Sequence, residues 1–363
     1  MSQVGRIPVL VLTGFLGSGK TTLLNHLLHN RAGIRIGALV NDFGAIEVDA
    51  MAVAGQVDAM VSFGNGCLCC AVDPAELDEM LERLARPAAG LDLIVVEASG
   101  LAEPQTLIRT ILASTYRRII YGGLVEVVDG AEFENTRARH PELDRHLKDA
   151  DLVVLNKTDR IGVPRREGLL RTLQRLAGAT PVVTATFGRI DPGLFFDRDG
   201  VRDLEAGAAR QLTFEDLLAD ERGEERHAHP HTGYQSVEFS TPEPLSPRRF
   251  MEFLDRRPAG LYRIKGAVHF GAGGEGERYV LHAVGGFLRF SPEPWPPAPP
   301  GGTPRLTQLV MIGSGLDPEA LRADVTACVG PSPDETPPAS MYGVLRFTDS
   351  AAESADADVQ DYG

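Results

Sequence analysis

Cysteine is scarce. The 363 residues hold four, three of them crowded into Cys67-Leu68-Cys69-Cys70, with Cys328 alone. That excludes the dispersed framework that staples small secreted domains. Positive charge is short as well: 36 Lys and Arg stand against 50 Asp and Glu, a net charge of −14. The chain therefore lacks the basic excess with which proteins neutralise nucleic-acid phosphates. Seven of the acids follow Gly330, against the single Arg346. No apolar run approaches the eighteen or so residues of a membrane span. Met1 to Pro8 lacks the charged, apolar, small-residue layout of a secretory signal. The expectation is a cytoplasmic protein with no membrane and no nucleic-acid partner.

What is present suits a soluble chain of two domains: 43% hydrophobic and 24% charged residues over this length. Apolar runs at Ile7–Leu12, Arg35–Val40, Leu93–Val96, Gly122–Val128, Leu152–Leu155 and Pro181–Ala185 read as strands. Helical patterns lie between several of them. One starts at Asp73-Pro74-Ala75-Glu76, with an N-cap, a first-turn proline and the glutamate of a capping box. This alternation predicts an α/β fold, a mostly parallel sheet flanked by helices, over residues 1–214. Residues 215–233 read as a charged linker bearing His227, His229 and His231. Strand and helix patterns from 234 to 330 predict a smaller α+β domain, with Pro292 to Pro304 as a loop. Residues 331–363 are polar, acidic and proline-bearing, and are expected to be a disordered tail.

Gly14-Phe15-Leu16-Gly17-Ser18-Gly19-Lys20-Thr21 has the spacing G-x-x-x-x-G-K-[ST], after an apolar run and before a helix-like segment, Thr21–His29. In that context the glycines let the backbone curl, and successive N–H groups point into one concavity that attracts phosphate. Gly14, Gly17, Ser18, Gly19, Lys20, Thr21 and Thr22 form the predicted phosphate site of a P-loop NTPase-type fold. Lys20 is expected on the β- and γ-phosphates and the Thr21 hydroxyl on magnesium.

Asn156-Lys157-Thr158-Asp159 ends the strand starting at Leu152. A carboxylate at Asp159 accepts from the N1–H and 2-amino groups of guanine, which adenine does not present. Such a site rejects the lacking base by about 10⁴-fold, because the acceptor is left unpaired. Asn156 is expected to position the base, Lys157 to lay its stem along the ring, and Thr184-Ala185 to support it from the other side. Leu93–Val96 delivers Glu97 to a strand end, where it is expected to hold the magnesium shell or orient the attacking water. Gly100 lets an N–H approach the γ-phosphate. Asp42, in Asn41-Asp42-Phe43-Gly44, is expected near magnesium, on a switch segment running to Asp49. An adenine-using kinase is the alternative that Asn156 to Asp159 argues against.

The three clustered thiols suit a soft or borderline divalent ion such as zinc, with the fourth ligand from elsewhere. A redox pair of Cys67 and Cys70, or cysteines packed as small apolar residues, would also fit the spacing. The histidines at 227, 229 and 231 form a short tract of the kind that binds metal, or a plain polar linker.

Taken in order, the phosphate loop, Asn41-Asp42-Phe43-Gly44, Cys67-Leu68-Cys69-Cys70, Glu97-Ala98-Ser99-Gly100 and Asn156–Asp159 resemble the CobW-type metallochaperone GTPases. The resemblance extends to about Val329. It implies GTP hydrolysis with magnesium, coupled to delivery of zinc or cobalt to a client protein through the C-terminal domain. It makes Cys67, Cys69 and Cys70 the metal ligands. Some members carry a glutamate where this chain has Val40, others one where it has Ala45, so Glu47 or Asp49 would have to stand in. A regulatory switch with a structural metal is the other class this pattern allows.

Overall fold

The computed structural model describes residues 6–29, 34–41, 59–63, 74–98, 104–195, 234–271, 276–295, 305–330 and 339–348. The first part is a seven-stranded sheet. Its strands are β1 (Ile7–Thr13), β2 (Ile36–Asn41), β3 (Ala59–Phe63), β4 (Leu93–Glu97), β5 (Ile119–Asp129), β6 (Leu152–Asn156) and β7 (Val182–Thr184). The order across the sheet is β3-β2-β4-β1-β5-β6-β7, and each neighbouring pair is parallel. Parallel strands need crossovers. Helices α1 (Lys20–Leu28), α2 (Pro74–Leu84), α3 (Pro104–Ala113), α4 (Phe133–Arg139), α5 (Leu143–Asp149) and α6 (Val163–Ala177) lie between them in the chain.

Both faces of the sheet are covered, which is why its strands read as unbroken apolar runs rather than alternations. Leu23, Leu24 and Leu27 of α1 pack with Leu10, Leu12, Val125 and Val127 on one face. Leu77 and Leu81 of α2 and Leu107 of α3 pack with Val9, Val11 and Val96 on the other. Each buried Leu or Val contributes about 1.5–3 kcal/mol relative to exposure. The strand sequence departs to opposite sides of β1, which pairs with both β4 and β5. Ligands of such sheets sit beyond the carboxyl ends of the strands at that reversal. Ala59–Phe63 was not among the expected strands; it is a five-residue edge strand, too short for a clear apolar run.

The second part is a five-stranded antiparallel sheet in the order β11-β10-β9-β12-β8. It comprises β8 (Gln235–Thr241), β9 (Leu261–Val268), β10 (Arg278–Val284), β11 (Phe287–Glu293) and β12 (Thr307–Gly313). Helices α7 (Pro247–Asp255), α8 (Pro318–Thr326) and α9 (Tyr342–Leu345) supply Phe250, Leu254, Leu321, Val325 and Val344 to its core. Ser246 and Asp317 cap α7 and α8 by accepting backbone N–H bonds. Two expectations are corrected here. Pro292 is not loop: it pairs with Tyr279 at the outer end of β11, an edge strand, where a missing N–H is tolerated. Residues 339–348 are not part of a disordered tail. Met341 and Val344 are buried and Phe347 packs beside them, an apolar stripe at spacing three that the acidic surroundings hide.

The other face of this sheet meets the first domain. Tyr262, Val284 and Ile312 join the core around α1, and the buried His282 Nε2 lies 2.9 Å from the Tyr121 carbonyl. Burial beside Arg263 drives the His282 imidazole down to about 3, which keeps it neutral. The thiol of Cys328 is buried and pushed up to about 11, an inert core group. The 215–233 linker with its three histidines lies outside the described residues. Among those described, no helix is long and apolar enough to cross a membrane.

Candidate nucleotide site

The phosphate loop leaves β1 at Thr13 and enters α1 at Lys20. Its conformation needs glycine. Gly14, Gly17 and Gly19 have φ of 141°, 76° and 103°, values that side-chain-bearing residues rarely adopt. A Cβ on Gly14 would run into the Val127 carbonyl, and one on Gly19 into the Asn156 amide. No side chain caps α1 at Gly19, so the helix opens with its N–H groups directed at the loop. Lys20 is buried and folds back over the loop, its Nζ donating to the Gly14 carbonyl at 2.9 Å. Thr22 is exposed on the first turn.

Glu97 ends β4 in register with Leu12, and its carboxylate is buried. The Thr21 hydroxyl donates to Glu97 Oε1 at 2.8 Å. Two of the three residues expected about magnesium, Thr21 and Glu97, are therefore in direct contact across 76 positions of sequence. Both are hard oxygen donors of the kind that magnesium takes beside phosphate oxygens.

The base motif is bonded to the same loop. Asn156 ends β6, is buried, and donates from Nδ2 to the Ser18 carbonyl at 2.9 Å. Its Oδ1 accepts the Gly188 N–H, also at 2.9 Å. Lys157 donates to the Gly17 carbonyl and pairs with Asp129 at 2.8 Å, so its stem lies across the loop. Thr158 is buried, and its hydroxyl donates to the Ala185 carbonyl at 2.9 Å, which joins the base motif to the loop after β7. Asp159 is exposed on a single helical turn.

Sequence reasoning missed three residues here. Asp129 ends β5 and holds Lys157; its signal was a carboxylate closing an apolar strand, as at Glu97. Gly188 has φ of 66° and backs onto Leu23 of α1. Glu126 sits inside β5, buried, with Oε2 unpaired in hydrogen bonding. Burial lifts its carboxyl to about 8, with the Lys20 charge pulling the other way. Beside it a cleft of about 430 Å³ runs from Phe15 and Leu16 past Asp129 to Phe133 and Lys157.

Asp42, Glu47, Asp49, Cys67, Cys69, Cys70 and Gly100 lie outside the described residues. Val40 is described, buried and apolar, so that position offers no metal ligand. Among the described residues, no group of three His, Cys, Asp or Glu side chains is placed to hold a metal ion.

A phosphate loop, a carboxylate touching its threonine and a base motif bonded to its backbone define a P-loop nucleotide-binding protein. More narrowly, the chain belongs to the CobW family: residues 8–184 match the CobW/HypB/UreG nucleotide-binding domain, and residues 234–329 match the cobalamin synthesis protein cobW C-terminal domain. The zinc chaperone CobW of a Sinorhizobium species is 31% identical over 362 residues, covering 90% of this chain and 98% of that protein. The zinc chaperone YjiA of Escherichia coli is 29% identical over 324 residues, covering 87% and 97%. The crystal structure of Zn(II)-bound YjiA GTPase aligns with 90% of this chain and 100% of its own, at 23% identity and a TM-score of 0.42.

Proposed function

We propose that this protein is a GTPase working as a zinc metallochaperone, with its metal affinity set by the bound nucleotide. One observation carries the nucleotide half. Asn156 and Lys157 of the base motif are hydrogen-bonded to the Ser18 and Gly17 carbonyls, so base and phosphate recognition share one rigid frame. Asp159 selects guanine through its N1–H and 2-amino donors. Lys20 and the amides after Gly14 hold the phosphates, and Gly100 would add an N–H to the γ-phosphate. Magnesium fits the Thr21 hydroxyl and Glu97 carboxylate; when bound it neutralises charge on the phosphates. Glu97, with Asp42 from the segment after β2, would orient the attacking water.

Zinc is the cargo, taken by Cys67, Cys69 and Cys70 as thiolates. The names of the two relatives support this choice over cobalt, and the topology supports a coupling between metal and nucleotide. Asn41 ends β2 opposite Phe63, which ends β3, and Val40 lies opposite Glu97. The segment bearing Asp42 and the one bearing the cysteines thus leave the carboxyl ends of neighbouring strands, within two strand spacings, about 10 Å, of Glu97. A nucleotide that engages one segment is placed to move the other. The fourth ligand would come from Glu47, Asp49 or the client, which the C-terminal domain would receive.

The test pairs two measurements. GTP should be hydrolysed with magnesium far faster than ATP, and zinc should bind with different affinity in the presence of a non-hydrolysable GTP analogue and of GDP. Changing all three cysteines to serine should abolish zinc binding and leave GDP binding intact. Equal zinc affinities in the two nucleotide states would remove the coupling.

A further inference from the structure

Among the described residues, only two that are not glycine have positive φ: Lys157 at 57° and Phe187 at 53°. For a bulky residue this is a sparsely populated conformation, costly enough that surrounding structure must enforce it, and such outliers gather at ligand clamps. The two are not independent. Lys157 follows Asn156 in the base motif, and Phe187 precedes Gly188, whose N–H is held by Asn156 Oδ1 at 2.9 Å. The residue before Phe187 is held as well: the Thr186 hydroxyl lies 2.9 Å from the Thr158 hydroxyl. A bridge between Thr186 and Arg189 closes the turn, and the turn backs onto Thr22 and Leu23, just beyond the phosphate loop.

This bracing holds an aromatic ring in the open. Phe187 is 63% exposed, the most exposed large hydrophobic residue of its domain among those described. An exposed ring on a strained, three-point-anchored turn is poorly explained by folding. It is well explained by a flat apolar ligand that covers it, since stacking on an aromatic face is a main source of base affinity.

We infer that Phe187 is a base-stacking residue, closing the purine pocket from the side opposite the Lys157 stem. The inference rests on the nucleotide site proposed above and adds a binding residue outside its motifs. It divides the labour: Asp159 reads which purine is present, whereas Phe187 grips any purine.

The experiment measures GDP and inosine diphosphate affinity in the full chain carrying Phe187→Ala, Phe187→Trp or Phe187→Gly. Phe187→Ala should weaken both nucleotides alike, by roughly tenfold or more, and leave inhibition by inorganic tripolyphosphate unchanged. Phe187→Trp should retain affinity and show indole quenching on GDP binding, against the constant signal of Trp295. Phe187→Gly separates binding from folding: glycine adopts this φ freely, so the variant should be at least as stable as the parent and still bind weakly. Affinities unchanged within twofold in the alanine and glycine variants, with the parent binding GDP normally, would overturn the stacking role. So would an indole that does not respond to GDP. A parent chain that binds no GDP would instead remove the underlying nucleotide reading.

Discussion

The side-chain amide of Asn156 donates to the Ser18 carbonyl while its oxygen accepts from Gly188, both at 2.9 Å. One buried residue at the end of β6 thus holds the phosphate loop on one side and the loop after β7 on the other. Asn156→Ala should therefore cost stability as well as nucleotide. It strips partners from a buried amide and a buried carbonyl, each worth about 1–3 kcal/mol when left unsatisfied. The expected outcome is a loss of roughly 2–4 kcal/mol in urea unfolding, with GDP affinity falling in parallel. An unchanged midpoint would mean that water replaces both bonds and that the residue is no keystone.

Glu97 and Thr21 make a separable prediction. The carboxylate is buried, but glutamine matches its size and can still accept the Thr21 hydroxyl, so Glu97→Gln should fold normally. It keeps the shape of the side chain but removes the charge that a magnesium shell or an oriented water requires. Turnover of GTP should fall about a hundredfold, the usual cost of losing one preorganised charged group, while GDP affinity changes little. Steady-state hydrolysis beside equilibrium GDP binding checks it. A loss confined to binding would move Glu97 out of the chemistry.

Much of this site was legible because motif residues act through spacing. Three glycines and Lys20 fix a backbone path, and an apolar run ending in Glu97 or Asn156 fixes which strand end bears the polar group. The order of motifs then fixes the sheet edge. What stayed hidden depends on contacts between distant segments. Nothing near Glu126 in sequence says that its carboxyl faces inward, since its neighbours Val125 and Val127 belong to the opposite face. Phe187 resembles any loop aromatic until its φ and its bonds to the base motif are seen. The packed helix at 342–345 was masked by acidic, proline-rich flanks, where composition outweighed a three-residue stripe. The CxCC loop is the converse case, vivid in sequence and outside the described residues.

Asp151 predicts how the two domains are joined. It precedes β6, and its Oδ2 accepts the Tyr121 hydroxyl at 2.5 Å and the Leu124 N–H at 2.9 Å. The Gly286 amide, in the turn between β10 and β11, bonds to the same carboxylate. Burial pushes this carboxyl above its ordinary value, and the hydrogen bonds pull back. Gly285, at φ 52°, lies so close that a Cβ would overlap the carboxylate. Asp151→Ala and Gly285→Ala should each destabilise the chain by roughly 2–4 kcal/mol, the first by orphaning buried donors, the second by clash and strain. Because both act on one contact, the double variant should lose clearly less than their sum. Full additivity in denaturant unfolding would separate the two residues and leave the seam to apolar packing.

The pH dependence of stability should trace to Glu126. Its carboxyl is lifted from 4.5 to about 8 in the folded chain, chiefly by burial. Between those values the native state holds a proton that the unfolded chain has released. The corresponding stability is fully present below about pH 4.5, declines as pH rises, and is gone once pH passes through about 8. The slope amounts to about one proton, or roughly 1.4 kcal/mol per pH unit, across that window. Glu126→Gln keeps a neutral side chain of the same size at every pH and abolishes this component. Urea unfolding of parent and variant from pH 5.5 to 8 isolates it, since the other titrating groups are common to both. The variant's stability should fall less steeply with pH, so that its advantage grows towards pH 8. Parallel profiles would show that Glu126 is already ionised in the folded protein, held as a carboxylate by the Lys20 charge.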